Sequence, residues 1–158
     1  MKKTFLLLIV LYCQNMTAQI KNLSDYLEVS NLSVYGLTDY LQYSWKIAPP
    51  KEKVSSDRSK VIGTYTFTNE TNTKQVLQRV ITMEISSGIK TETTNLICKD
   101  FELLKKITKN LIYNGFELKG KQSNQTMYDD GNRILVIYND FSEKTLGKGY
   151  YKLSLLTK

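Results

Sequence analysis

Residues 100–120 read DFELLKKITKNLIYNGFELKG, and inside this one stretch the apolar spacing switches from helical to pleated. Leu103, Leu104, Ile107 and Leu111 share one helical face, with Glu102, Lys105, Lys106 and Lys109 on the side left to water. Asp100 stands at the N-cap position, where a carboxylate accepts from the unpaired amides of the first turn. Asn114-Gly115 supplies the stop, since glycine enters the left-handed conformation without steric cost. From Phe116 the period becomes two, Phe116 and Leu118 alternating with Glu117 and Lys119. A capped amphipathic helix running directly into a strand predicts an α+β fold.

Downstream, Asp130-Gly131 is a hairpin turn pair between Met127-Tyr128-Asp129 and the apolar run Ile134 to Tyr138. Tyr151, Leu153 and Leu155 then alternate with Lys152 and Ser154 in a closing strand. Upstream, the same order occurs once before. Asp25-Tyr26-Leu27-Glu28 offers a carboxylate cap with Glu three residues on, ahead of a helical stretch carrying Leu32, Tyr35, Tyr40 and Leu41 and interrupted at Gly36. Trp45 and Ile47 open a strand, Ala48 to Lys60 form a long polar loop, and Val61, Gly63, Tyr65 and Phe67 alternate in the next strand. Leu77, Ile81, Met83 and Ile85 share the parity of a further strand, broken only by Arg79, and Ile89 to Ile97 is a Thr-rich strand of mixed parity.

Laid side by side, Asp25-Tyr26 corresponds to Asp100-Phe101, Trp45 to Phe116, Val61–Phe67 to Ile134–Asp140 and Leu77–Ile85 to Tyr150–Leu156. The expectation is two similar modules, about 23–97 and 98–158, each a helical region followed by antiparallel strands, within one compact α+β domain over 19–158. An internal duplication accounts for this order; so does the habit of any α+β chain to place capped helices before strands. Sixteen Thr and eleven Tyr against two Ala favour pleated surfaces over helix, so strand is expected to exceed helix.

Met1-Lys2-Lys3, the nine apolar or weakly polar residues Phe5 to Cys13, and the polar exit Gln14 to Ala18 have the layout of a secretory signal peptide. The apolar run is shorter than the roughly 20 residues a bilayer-spanning helix needs. Residues 1–18 are therefore read as a signal peptide, and the protein as secreted or periplasmic, with no membrane span after cleavage. Cys13 leaves with that segment, so Cys98 has no internal disulfide partner and is expected to be buried.

The absence of His excludes serine triads, Cys–His dyads, His-ligated zinc and imidazole pH switches. Asp129-Asp130 is the one adjacent acidic pair, but a tight turn accounts for it, and strand neighbours point to opposite faces. Asp129-Asp130-Gly131-Asn132 lacks the remaining EF-hand offsets, and Gly147-Lys148-Gly149 lacks the Walker spacing. Nineteen of the 22 basic residues are Lys, which suits a solvated surface better than a nucleic-acid site built on guanidinium forks. No catalytic residue, cofactor or metal ligand is assigned, and no nucleic-acid partner is expected. The candidate binding residues are Tyr40, Tyr43 and Trp45, an aromatic platform for sugar rings or peptide, with Trp45 better suited to anchoring a core.

The order of signal peptide, Asp-aromatic helix start at Asp100-Phe101, Asn114-Gly115-Phe116 exit and alternating strands resembles small uncharacterised exported proteins of Gram-negative bacteria. In element order alone, the tandem helix-on-antiparallel-sheet plan is similar to the β-lactamase inhibitory proteins. The first resemblance implies export and no activity, and the second transfers no residue. The functional expectation is an exported, non-enzymatic binding or interaction protein, an inhibitor or envelope accessory factor, with an unknown protein or polysaccharide partner met through a sheet face or the Ala48–Lys60 loop. The alternative is a small carboxylate-dependent hydrolase of cell-wall or other polysaccharide, which needs two carboxyl groups about 5–10 Å apart, Glu84 being one candidate.

Overall fold

The computed structural model describes residues 19–69, 75–143 and 147–158; the signal-peptide reading of residues 1–18, Cys13 included, lies outside them. Helices α1 (Leu23–Asn31), α2 (Val34–Leu41) and α3 (Phe101–Leu111) accompany nine strands. These are β1 (Lys46–Ile47), β2 (Lys51–Val54), β3 (Lys60–Asn69), β4 (Gln75–Glu84), β5 (Lys90–Cys98), β6 (Glu117–Lys121), β7 (Gln125–Asp129), β8 (Arg133–Glu143) and β9 (Gly147–Thr157). All nine join one sheet in the order β1-β3-β4-β5-β9-β8-β7-β6, with β2 also paired to β3. Every pairing is antiparallel.

This corrects the two-module α+β expectation. Strand accounts for 50% of the described residues and helix for 24%, so the fold is a sheet that carries short helices. The two halves share a single sheet. β5, the end of the first expected module, pairs with β4 on one side and on the other with β9, from Glu92 opposite Thr157 to Cys98 opposite Tyr151. The mixed parity of β5 reflects buried residues on both its faces toward its C-terminal end. Leu96 and Cys98 enter the main core, while Ile97 packs on the opposite side with Val76 and Tyr150.

α3 forms as its periodicity dictates. The Asp100 carboxylate accepts from the Leu103 amide at 2.9 Å, and Leu103, Leu104, Ile107 and Leu111 are buried. A single 3₁₀ turn over Ile112–Asn114 leads to Gly115 at φ +83°, the expected left-handed stop. The first helical region differs from expectation. It is two helices parted at Leu32-Ser33, with Gly36 inside α2 rather than at the break. The cap of α1 is Asn22, whose side chain accepts from the Asp25 amide at 3.0 Å, while Asp25 accepts from the Lys21 amide at 2.8 Å. Asp25 thus acts as the returning acid of a reciprocal cap set three residues earlier than expected. The polar loop Ala48–Lys60 is corrected as well, since Lys51–Val54 within it pairs with Val61–Thr64 as β2.

The three described helices pack on the same side of the sheet. The core gathers Leu23, Tyr26 and Val29 of α1, Leu37 and Leu41 of α2 and the α3 leucines onto Phe67, Leu77, Leu96, Leu135, Ile137, Leu153 and Leu155. Tyr26 is fully buried beneath the β5–β9 junction, its hydroxyl 2.7 Å from the Thr94 carbonyl and 3.0 Å from that of Leu153. Burial drives its phenol well above the ordinary tyrosine range, so it stays a neutral donor. Ile20, also buried, is clasped by Gln75, which accepts from its amide at 3.2 Å and donates to its carbonyl at 2.8 Å.

Candidate functional site

Side chains alternate across a strand, so fixing the core-facing set fixes the other face too. Three rows cross that second face. One runs Thr64, Val80, Thr93, Leu156, Ile134 and Asp129 across β3-β4-β5-β9-β8-β7; the next runs Thr66, Gln78, Asn95, Ser154, Val136 and Met127. The third runs Thr68, Val76, Ile97, Lys152, Tyr138 and Gln125. The surface is neither core nor ordinary polar exterior: Thr64, Val80, Thr93, Val136 and Leu156 are half-buried by their neighbours. With neighbouring strands about 4.8 Å apart, the eight-strand path is roughly 34 Å wide.

The chemistry of this open face varies along it. At one end Val76, Ile97 and Tyr150 are buried, with Phe141 against them. The ammonium of Lys152 sits 5.0 Å from the Phe141 ring centroid and 5.4 Å from that of Tyr138, and Lys99 lies 4.8 Å from that of Tyr150. In the middle the Ser154 hydroxyl donates to the Asn95 side-chain oxygen across the β5–β9 junction. On the β1–β2 edge, Lys46, Lys51 and Lys53 are exposed on the same side, opposite Thr68, Thr64 and Ile62.

A second feature lies at the end of the sheet on the helix side. A cleft of about 610 Å³ is bounded by Ser30–Ser33, Ile89–Glu92 and Leu156–Lys158, with Arg79 in its wall. Arg79, the residue that breaks the β4 parity, is 3% exposed. Its guanidinium donates to Glu92 at 2.9 Å and to the carbonyls of Val29, Ser30 and Leu32 at 2.9, 2.9 and 3.0 Å. It therefore binds the C-terminal end of α1, where carbonyls lack helical partners and the dipole favours a cation. Glu92 also meets Lys90 at 2.5 Å, and that lysine, with Arg79 adding charge, holds its carboxyl below the ordinary range despite partial burial.

The aromatic candidates are distributed as follows. Trp45 is 4% exposed and belongs to the core, in the turn before β1 rather than in a strand. Tyr43 is 90% exposed. These two, with Gln42, Ser44, Lys46 and Thr68, line a depression of about 290 Å³; Tyr40 lies outside it. Partial burial, followed by the charges of Glu28 and Asp25, raises the Tyr40 phenol, which sets this residue toward the acidic side of α1. Sequence reading missed the lysine rim and the Arg79 tether. The lone charge in the β4 parity signalled the tether, whereas the rim has no signal until the register is known.

Asp130 caps its own hairpin, accepting from the Asn132 and Arg133 amides at 3.0 and 2.7 Å around a left-handed Gly131, as a turn role requires. Among the described residues no helix is long and apolar enough to cross a membrane. No family model matches this chain, and neither curated proteins nor solved structures provide a match.

Proposed function

We propose that this is an exported, non-enzymatic binding protein whose working surface is the open face of the sheet and whose partner is another protein. One observation carries the reading: α1, α2 and α3 all pack on one side, leaving rows of Thr, Val, Ile and Leu half-buried on the other. Such a surface is too apolar to be simple exterior, and its width suits a standard protein interface of about 800 Å² per partner. Export is proposed from the layout of Met1–Ala18 alone, a charged start, an apolar run and a polar exit ending in a small residue. An inhibitor or an envelope accessory factor both fit a sheet presenting one open face.

Five carboxylates lack the raised value that suits a general acid. Hydrogen bonds from Ser55, Lys90, Lys119 and Lys158 hold Asp57, Glu92, Glu117 and Asp129 below the ordinary range. Asp130 is lowered as well, its burial outweighed by Arg133. A general acid needs the opposite shift. The test is affinity capture from envelope extract of the native host, with the tagged protein, Val80→Arg, Val136→Arg and a Lys106→Glu control on α3. A partner retained by wild type and control but lost by both open-face variants supports the reading. Retention by all four overturns it, as does polysaccharide cleavage abolished by Glu84→Gln or Glu92→Gln. Mass spectrometry of the host protein is expected to find an N-terminus at Gln19; an intact Met1 counts against export, and a lipid on Cys13 against cleavage after Ala18.

A further inference from the structure

Charge on the open face is unevenly placed. Among the described residues three of its carboxylates are already matched: Glu84 lies 3.6 Å from Lys60, Asp129 2.8 Å from Lys158 and Glu117 2.6 Å from Lys119. On the β1–β2 edge the register sets Lys46, Lys51 and Lys53 on this same side, and among the described residues none of them forms an ion pair. Lys51 and Lys53 stand about 7 Å apart along β2, within the roughly 8 Å screening length of physiological salt. They repel each other in the free protein, and carboxylates brought by a partner relieve that repulsion.

Resting on the open-face reading above, we propose that the partner presents an acidic protein surface. Its carboxylates meet Lys46, Lys51 and Lys53, and its apolar part covers Ile62, Val80 and Val136. A second copy of this chain does not fit, because the carboxylates it would bring to that edge are the ones its own lysines occupy. A lipid bilayer does not fit either, since the hydroxyls of Thr64, Thr66 and Thr93 would enter hydrocarbon without partners. An acidic polysaccharide would match the lysines and leave the valines and isoleucine uncovered.

The test measures binding of the full chain to a glutamate–tyrosine copolymer, with alginate and phosphatidylglycerol vesicles as competing probes. K46E/K51E/K53E is expected to weaken copolymer binding about tenfold or more and to flatten its salt dependence, and the milder K46Q/K51Q/K53Q variant to weaken it in the same direction. K105E/K106E/K109E, with the same charge change on α3, is expected to leave it within about twofold. Equal weakening by both Glu triples, or binding to alginate or vesicles as tight as to the copolymer, overturns the inference. If V80R abolishes envelope capture while the rim triples leave copolymer binding intact, the acidic-partner inference falls and the open-face reading stands. If V80R affects neither measurement, the reading beneath it falls.

Discussion

A guanidinium is the one charge on the core side of β4, and its hydrogen bonds explain why it belongs there. Arg79 ties Val29, Ser30 and Leu32 at the end of α1 to Glu92 on β5, so removing it strands carbonyls and a carboxylate together. Breaking a buried charge pair from one side costs about 3–5 kcal/mol, and Arg79→Met is expected to fall near the lower end because Glu92 keeps Lys90. Urea unfolding measures this, and a loss below about 1 kcal/mol would show that the tether carries little. The pH dependence follows from the lowered Glu92 carboxyl. A depressed folded-state value adds stability above the ordinary 4.5 that disappears as pH falls through the lower folded value. The stability gap between wild type and Glu92→Gln should therefore shrink as pH drops below 4.5, and a gap constant down to full protonation would contradict the assignment. At Cys98, burial pushes the thiol up to about 11. Its reaction with a disulfide reagent at pH 8 should proceed no faster than the protein unfolds; rapid labelling of the native protein would refute the burial.

At the scale of elements, legibility followed how much each segment depends on its own sequence. α3 carries cap, stripe and stop within residues 100–115 and was readable in full. Gly115 tests its end: an added Cβ meets nothing within 4 Å, so Gly115→Ala bears only the backbone cost of φ +83°, about 1 kcal/mol, and Gly115→Asn less. Thermal unfolding decides this, and an unchanged midpoint for the alanine variant would mean that the turn relaxes. β2 was unreadable because Lys51, Glu52, Lys53 and Val54 are all exposed, so no alternation marks a strand that exists by pairing with β3. The break between α1 and α2 was misplaced because glycine looks like the interruption, whereas the chain turns where Ser33 can cap α2 by accepting from the Gly36 amide. The aromatic platform was inferred from proximity in sequence; Trp45 is buried and Tyr43 exposed, and both line one depression that Tyr40 does not reach. The lysine rim needed three strand registers at once, which local periodicity does not contain.

For the whole molecule, the decisive contact is between β5 and β9, strands some sixty residues apart in sequence that meet at Asn95 and Ser154. Neither half can finish its sheet without the other, because β9 covers the second edge of β5, and β5 that of β9. α1 reinforces the dependence: the Tyr26 hydroxyl reaches carbonyls on both strands, so a chain ending at β5 leaves it without its partner at Leu153. A junction of such high sequence separation must close a long loop before it is rewarded, which predicts one cooperative transition rather than stepwise folding of two units. Dividing the protein between Cys98 and Lys99 tests the point. Residues 19–98 and 99–158 are each expected to lack a cooperative unfolding transition and near-ultraviolet signals of packed aromatics. Mixing them should restore both signals, because Tyr26, Leu96, Leu135 and Leu153 belong to a common core. If the 19–98 fragment melted cooperatively by itself, the β5–β9 junction would be a docking of two finished units, and the open face would be two adjoining surfaces instead of a continuous one.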